Sequence, residues 1–311
     1  MRPSVPIALS LSLIAEPLLA APCNMPLAQT HRSGTRIYAA GAGPRSIYFA
    51  ANVDVNTDGA ARSYHPQDPL GNGLALNNIV NALTGAWEAD GTRINCAPKR
   101  GACFMRYVHA FEGARDSGYA LTGAPRIATR HIIPWSRASA SDPLKPCLIP
   151  SGPYAGHFVS QTSFLVDGSK PECDQARYLD SLAFNAAVLP GGAVWKSQGS
   201  QVEVGDLVVM RIPATGRIAY GIIGDSGPAA SIGEASVAFV AALRGQSVPA
   251  NASYRAIKRL ALPSGQYLIF PATDPRRAAA GPVTQASIDQ RARALFEAWG
   301  GEARLANCPV Q

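Results

Sequence analysis

The run Gly205-Asp-Leu-Val-Val-Met-Arg-Ile-Pro-Ala-Thr-Gly-Arg-Ile-Ala-Tyr-Gly-Ile-Ile-Gly-Asp225 decides how this chain folds. Two apolar stretches of strand length flank the turn Pro213 to Gly216, which is the pattern of a β-hairpin. The chain continues through Ser226-Gly-Pro-Ala-Ala into Ser231-Ile-Gly-Glu-Ala-Ser-Val-Ala-Phe-Val-Ala-Ala-Leu243, small and apolar enough for a buried helix. On this reading Asp225 ends a strand and Glu234 opens a helix.

Two carboxylates nine residues apart, both at element ends, point to a pair of acids facing one cleft. Glycoside hydrolysis needs that equipment, one carboxyl to protonate the leaving oxygen and one to activate water or attack the anomeric carbon. Each acid also has a structural reading. Ser231 and Glu234 have capping-box spacing, and Asp225 has the character of a turn residue.

Composition sets the class. Across 311 residues, 47% are hydrophobic and 16% charged, so the chain is globular and long enough for a sizeable core. Residues 1–20 have a charged start, a short apolar core and a small-residue exit, the form of a secretory signal, which leaves 21–311 as a single domain. Cys23 follows Pro22 rather than a small residue, which argues against a lipid anchor. No other run is long enough to span a membrane. A secreted protein, extracellular or periplasmic and monomeric, is expected.

The cysteines Cys23, Cys96, Cys103, Cys147, Cys173 and Cys308 form an even set, which in an exported chain implies disulfides. Cys96 and Cys103 are close enough to close a small loop, and Cys23 with Cys308 would tie down the two ends. Neither these cysteines nor the five scattered histidines have metal-site spacing, so no metal and no cofactor are expected. Lysine and arginine exceed aspartate and glutamate by 28 − 21 = 7. That surplus favours anionic partners, but no basic run interleaved with aromatics suggests nucleic acid.

Asn52-Val-Asp-Val-Asn-Thr-Asp-Gly59 begins like a calcium loop, yet its twelfth position falls on His65, not glutamate. A turn held by Asx side chains, or a substrate-groove role for Asp54 or Asp58, fits better. Gly156 to Val166 has the composition of a strand, with Gln161 and Thr162 polar near its middle. Ser264 to Pro271 is a further strand, and Thr284 to Trp299 is an amphipathic helix with Ile288, Leu295, Phe296 and Trp299 on its core face. These elements predict a mainly β (α+β) single domain. Its β core is barrel-like or a sandwich, with one buried helix after the active-site strand and a C-terminal helix.

Together, Asn52-Val-Asp-Val-Asn-Thr-Asp-Gly59, Ser160-Gln-Thr-Ser163, Tyr220-Gly-Ile-Ile-Gly-Asp-Ser-Gly-Pro228, Ile232-Gly-Glu-Ala-Ser236 and Tyr267-Leu-Ile-Phe-Pro271 resemble the family 75 glycoside hydrolases, the chitosanases best known from fungi. The resemblance runs from about Asn52 to Pro271, with the pieces in the family's order, and nothing around Cys96 to Cys147 can be placed in it. It implies endo-hydrolysis of a β-1,4-linked glucosamine polymer with inversion, and its essential acids fall on Asp225 and Glu234. Glu234 is expected as general acid and Asp225 as general base, although a helix N-terminus at Glu234 would favour its ionised form. Asp54, Asp58, Gln161 and Thr162 are expected to bind substrate.

Three other readings stay open from sequence. One is hydrolysis of another amino-sugar glycan, such as peptidoglycan or chitin. Another is an exported glycan-binding protein without turnover. Gly224-Asp-Ser-Gly-Pro228 also invites a serine-protease reading, but it has one glycine where those enzymes have two, and no Thr-Ala-Ala-His-Cys-type segment lies upstream.

Overall fold

A computed structural model describes residues 22–120, 125–248, 252–278 and 283–310. The segment expected to be a secretory signal, residues 1–20, lies outside them.

Eight strands form the main sheet: β1 (Leu27–Thr30), β2 (Arg36–Ala39), β3 (Ile47–Asn56), β4 (Ala186–Pro190), β5 (Leu207–Arg211), β6 (Ile218–Gly227), β7 (Glu234–Ser236) and β8 (Leu262–Phe270). Their order is β1-β2-β3-β7-β4-β6-β5-β8, and β8 pairs back onto β3. The last six strands of that order therefore close into a barrel, which leaves them no open edge. The expected hairpin is β5–β6, antiparallel from Leu207 opposite Ile222 to Arg211 opposite Ile218. β3 pairs parallel with β7, and β4 parallel with β6.

The barrel explains the unbroken apolar runs. Side chains alternate across a strand, and here both faces are covered. Ile47, Phe49, Val53 and Val55 point inward to meet Val208, Met210, Ile223, Tyr267 and Ile269. Tyr48 and Ala50 point outward with Val209, Leu268 and Phe270, against Phe296 and Trp299. Those two aromatics sit on the C-terminal helix Gln285–Trp299, capped by Thr284. Its core face is the expected one: Ile288, Phe296 and Trp299 are buried and Leu295 is partly so.

Between β3 and β4 the chain makes a long excursion with its own core around helix α1 (Ala102–Asp116). Tyr107, Val108 and Phe111 pack there with Tyr64, Val80, Ile127 and Phe158. Disulfides Cys96–Cys103 and Cys147–Cys173 staple this excursion, and Cys23–Cys308 joins the two ends of the described chain. No helix among the described residues is long and apolar enough to cross a membrane.

Two local expectations are corrected. The helix after the hairpin, α2 (Val237–Arg244), starts at Ser236 rather than Ser231. The Ser236 hydroxyl accepts from the Phe239 N–H at its N-terminus, and Gly245 in the left-handed region ends it. Glu234 lies on β7 because that segment is paired on both sides, with β3 and with β4, and the two ladders outweigh a helical turn. Residues 156–166 are not a strand either. Their backbone groups go to separate partners, Gln161 N–H to Ile132 O, Phe164 N–H to Gly224 O and Ser160 N–H to the Gln175 side chain, so no ladder forms.

Candidate active site

One outward-facing row crosses four strands of the barrel. Asp54 on β3 is opposite Glu234 on β7, Glu234 is opposite Val188 on β4, and Val188 is opposite Asp225 on β6. Residues in register on neighbouring strands share a face, so the three carboxyls stand on the same side of the wall. Asp225 and Glu234 flank Val188 at two strand spacings, which puts their backbones about 9.5 Å apart.

Asp225 reaches this face through a bulge. Ile223 pairs with Ala187 and Asp225 with Val188, so β6 spends one extra residue, Gly224, where β4 spends none. Ile223 points into the barrel, and strict alternation would have sent Asp225 inward too. The bulge re-aims it outward. A side chain at position 224 would have its Cβ 2.6 Å from the Ala186 Cβ, so the site requires glycine. Glycine inside a strand is a bulge signal, and it is the cue by which the sequence marks this feature.

The carboxyls are held differently. Asp225 Oδ1 accepts from the Ser163 N–H (2.9 Å), the Ser163 hydroxyl (2.7 Å) and the Ser226 N–H (2.8 Å). Burial pushes its pKa up, while these three donors pull it back toward the ionised form. Glu234 has one long contact, from the Asn56 amide to Oε2 at 3.5 Å. Burial, and then the neighbouring Asp54 carboxylate, raise its pKa. The helix-terminus effect expected to lower it does not apply, since Glu234 sits on a strand.

Asp58 follows β3 in a turn that Asn56 closes, with Asn56 Oδ1 accepting from the Asp58 N–H at 2.6 Å. Asn56 thus ties Asp58 to Glu234, and the calcium-like spacing is an Asx turn. Among the described residues no group of three His, Cys, Asp or Glu is arranged to hold a metal ion. Gly59 completes the turn at φ +89°, packed against Leu179 O where no Cβ fits. The Tyr64 hydroxyl donates to Asp58 Oδ1 at 2.6 Å, and Asn77 donates to that hydroxyl. Burial raises the Asp58 pKa to about 7, helped by the charge of Asp225.

A small recess lies between the barrel wall and the long excursion. Val188, Gly224 and Asp225 line one side, and Asp58, Thr162, Leu179 and Ser181 line the other. Thr162 faces the recess, but its hydroxyl is engaged in structure, donating to Phe164 O and accepting from the Leu179 N–H. Gln161 is not a lining residue; its amide donates to the Tyr178 hydroxyl. Asp54 is exposed at the end of the carboxylate row, its Oδ2 accepting from the Asn52 amide. Among the described residues none of the four carboxyls forms a salt bridge. Ser163, Tyr64 and Asn56 are the partners that sequence reasoning did not single out. Only the Asx spacing at Asn56 hinted at one of them.

No family model matches the chain, and no curated protein matches it.

Proposed function

We propose that this protein is an exported, endo-acting glycoside hydrolase that cleaves a β-1,4-linked glucosamine polymer with inversion. The observation that carries the proposal is the carboxyl pair in register on one wall, two strands apart. Inverting enzymes separate their acids by roughly 6.5–9.5 Å to admit a water, whereas retaining enzymes hold them at about 5–5.5 Å. Backbones two strand spacings apart leave room for a water between the two side chains, which fits the former.

The hydrogen bonds support one division of roles. Asp225 has one oxygen fixed by three donors and the other free, which suits a general base that orients a water. Glu234 has little stabilising its charge, so it keeps a proton more readily and serves as the general acid. The base removes a proton from water as that oxygen bonds to the anomeric carbon, and the acid protonates the departing sugar oxygen.

The substrate class rests on the resemblance to the family 75 enzymes and on charge. A cluster of carboxyls without salt bridges offers a polymer of ammonium groups local negative potential, on a chain that is basic overall. Three disulfides suit an oxidising compartment. The test is release of reducing ends from deacetylated chitosan beside chitin, peptidoglycan and cellulose. Turnover of another member of that panel keeps the chemistry and changes the substrate, and turnover of none favours a glycan-binding protein.

A further inference from the structure

Asp58 is a further carboxyl, lining the recess beside Asp225, that the two-acid reaction does not use. Its position is not that of a surface groove residue. It lines the recess together with Asp225, and the Tyr64 hydroxyl occupies its Oδ1. Oδ2 has no hydrogen-bond partner among the described residues and is not among their sealed, unsatisfied polar atoms, so solvent reaches it.

The charged and titratable groups around it are all acidic or neutral. Asp225 acts on it from β6, Glu234 from β7 and Tyr64 from the excursion. Beyond Glu234 stand Asp54 and, as the one cation acting on that carboxyl, Lys258. Asp58 and Asp225 line one recess without an ion pair, and two like charges sharing a site leave one carboxyl protonated. Asp225 has three donors holding its charge and Asp58 has one. The proton therefore resides on Asp58.

We propose that Asp58 works in its protonated form, donating a hydrogen bond from Oδ2 to the water that Asp225 activates. The role rests on the glycosidase reading above. The water donates one hydrogen to Asp225 and accepts one from Asp58, which fixes its orientation in the recess. As it attacks, its O–H bond breaks toward Asp225 and its oxygen bonds to the anomeric carbon. The glycosidic C–O bond breaks, and the Glu234 proton goes to the leaving oxygen. Asp58 keeps its proton throughout, so it positions the nucleophile rather than titrating in the cycle.

The test compares Asp58→Asn, which keeps the shape, an acceptor for Tyr64 and a donor at the second position, with Asp58→Leu, which keeps only approximate volume. Expected is a fall in kcat of up to about tenfold for the amide and about a hundredfold or more for leucine, with KM little changed in both. Equal damage from both, or none from either, overturns the role. Because the leucine variant can fail to fold, a second measurement stands beside it: carbon-13 titration of the aspartate carboxyls in the free protein. A resonance with a midpoint near neutral pH that disappears in Asp58→Asn is expected, and Tyr64→Phe should raise that midpoint by removing the donor to the ionised form. A midpoint for Asp58 below about 5 refutes the proposal whatever the kinetics. The titration needs no substrate. A parent that hydrolyses no glycan therefore removes the catalytic reading, and the water-positioning role with it, without being confused with a wrong protonation state.

Discussion

Replacing Asp58 by asparagine should make the protein more stable as pH rises, although it removes a residue at the heart of the cleft. Burial raises the Asp58 carboxyl from 3.8 to about 7. Below 3.8 the folded and unfolded chains both carry the proton. Between 3.8 and about 7 only the folded chain keeps it, so the unfolded chain binds fewer protons and stability falls as pH increases. The full rise corresponds to a ceiling of about 4 kcal/mol. Solvent reaches this half-buried carboxyl, so about 2 kcal/mol is the working figure. The asparagine variant escapes that loss and keeps the acceptor for Tyr64. Denaturation of both proteins at about pH 4 and pH 8 should therefore show the variant gaining about 2 kcal/mol on the parent between the two conditions, or roughly 4–8 °C in melting temperature. Parallel stability curves, or a variant that falls behind as pH rises, would show that Asp58 ionises freely in the folded protein.

Two further substitutions probe how the acids are held. Ser163→Ala removes the hydroxyl that donates to Asp225 Oδ1 at 2.7 Å, so the base should ionise at higher pH and the acid limb of the kcat/KM profile should move upward, with an unmoved limb counting against Asp225 as base. Gly233→Ala places a Cβ 2.2 Å from Asn52 O at a φ of +95°. Because this residue turns the chain into β7 beside β3, the variant should lose about 2–4 kcal/mol of stability in urea unfolding, and a near-neutral result would mean that the β3–β7 register does not depend on this turn.

The sequence disclosed those parts of the fold in which local pattern and global pairing agree. The hairpin, the helix on Ile288, Phe296 and Trp299, and the Cys96–Cys103 loop all express neighbouring residues. Barrel closure was less legible, because β8 meeting β3 joins segments about two hundred residues apart. Ser231-x-x-Glu234 imitates a helix cap, while the ladders that hold Glu234 on a strand come from β3 and β4. The outward aim of Asp225 depends on a one-residue bulge at Gly224, which no periodicity displays. Residues 156–166 had strand composition but no edge to pair with, so Gln161 and Thr162 ended in hydrogen bonds within the excursion. Asp58 stood in the sequence as a calcium-like or groove aspartate, and its proton-holding environment arises only when Tyr64 and Asp225 close around it.

The most direct measurement follows the first product by proton NMR while the protein acts on well-deacetylated chitosan, with Asp225→Asn and Glu234→Gln run beside it. The account predicts that the β-linked polymer yields the α anomer first, and that each substitution lowers kcat by about a hundred- to ten-thousandfold while glycan binding is retained. A β anomer appearing first, or turnover that survives either substitution undiminished, would contradict it.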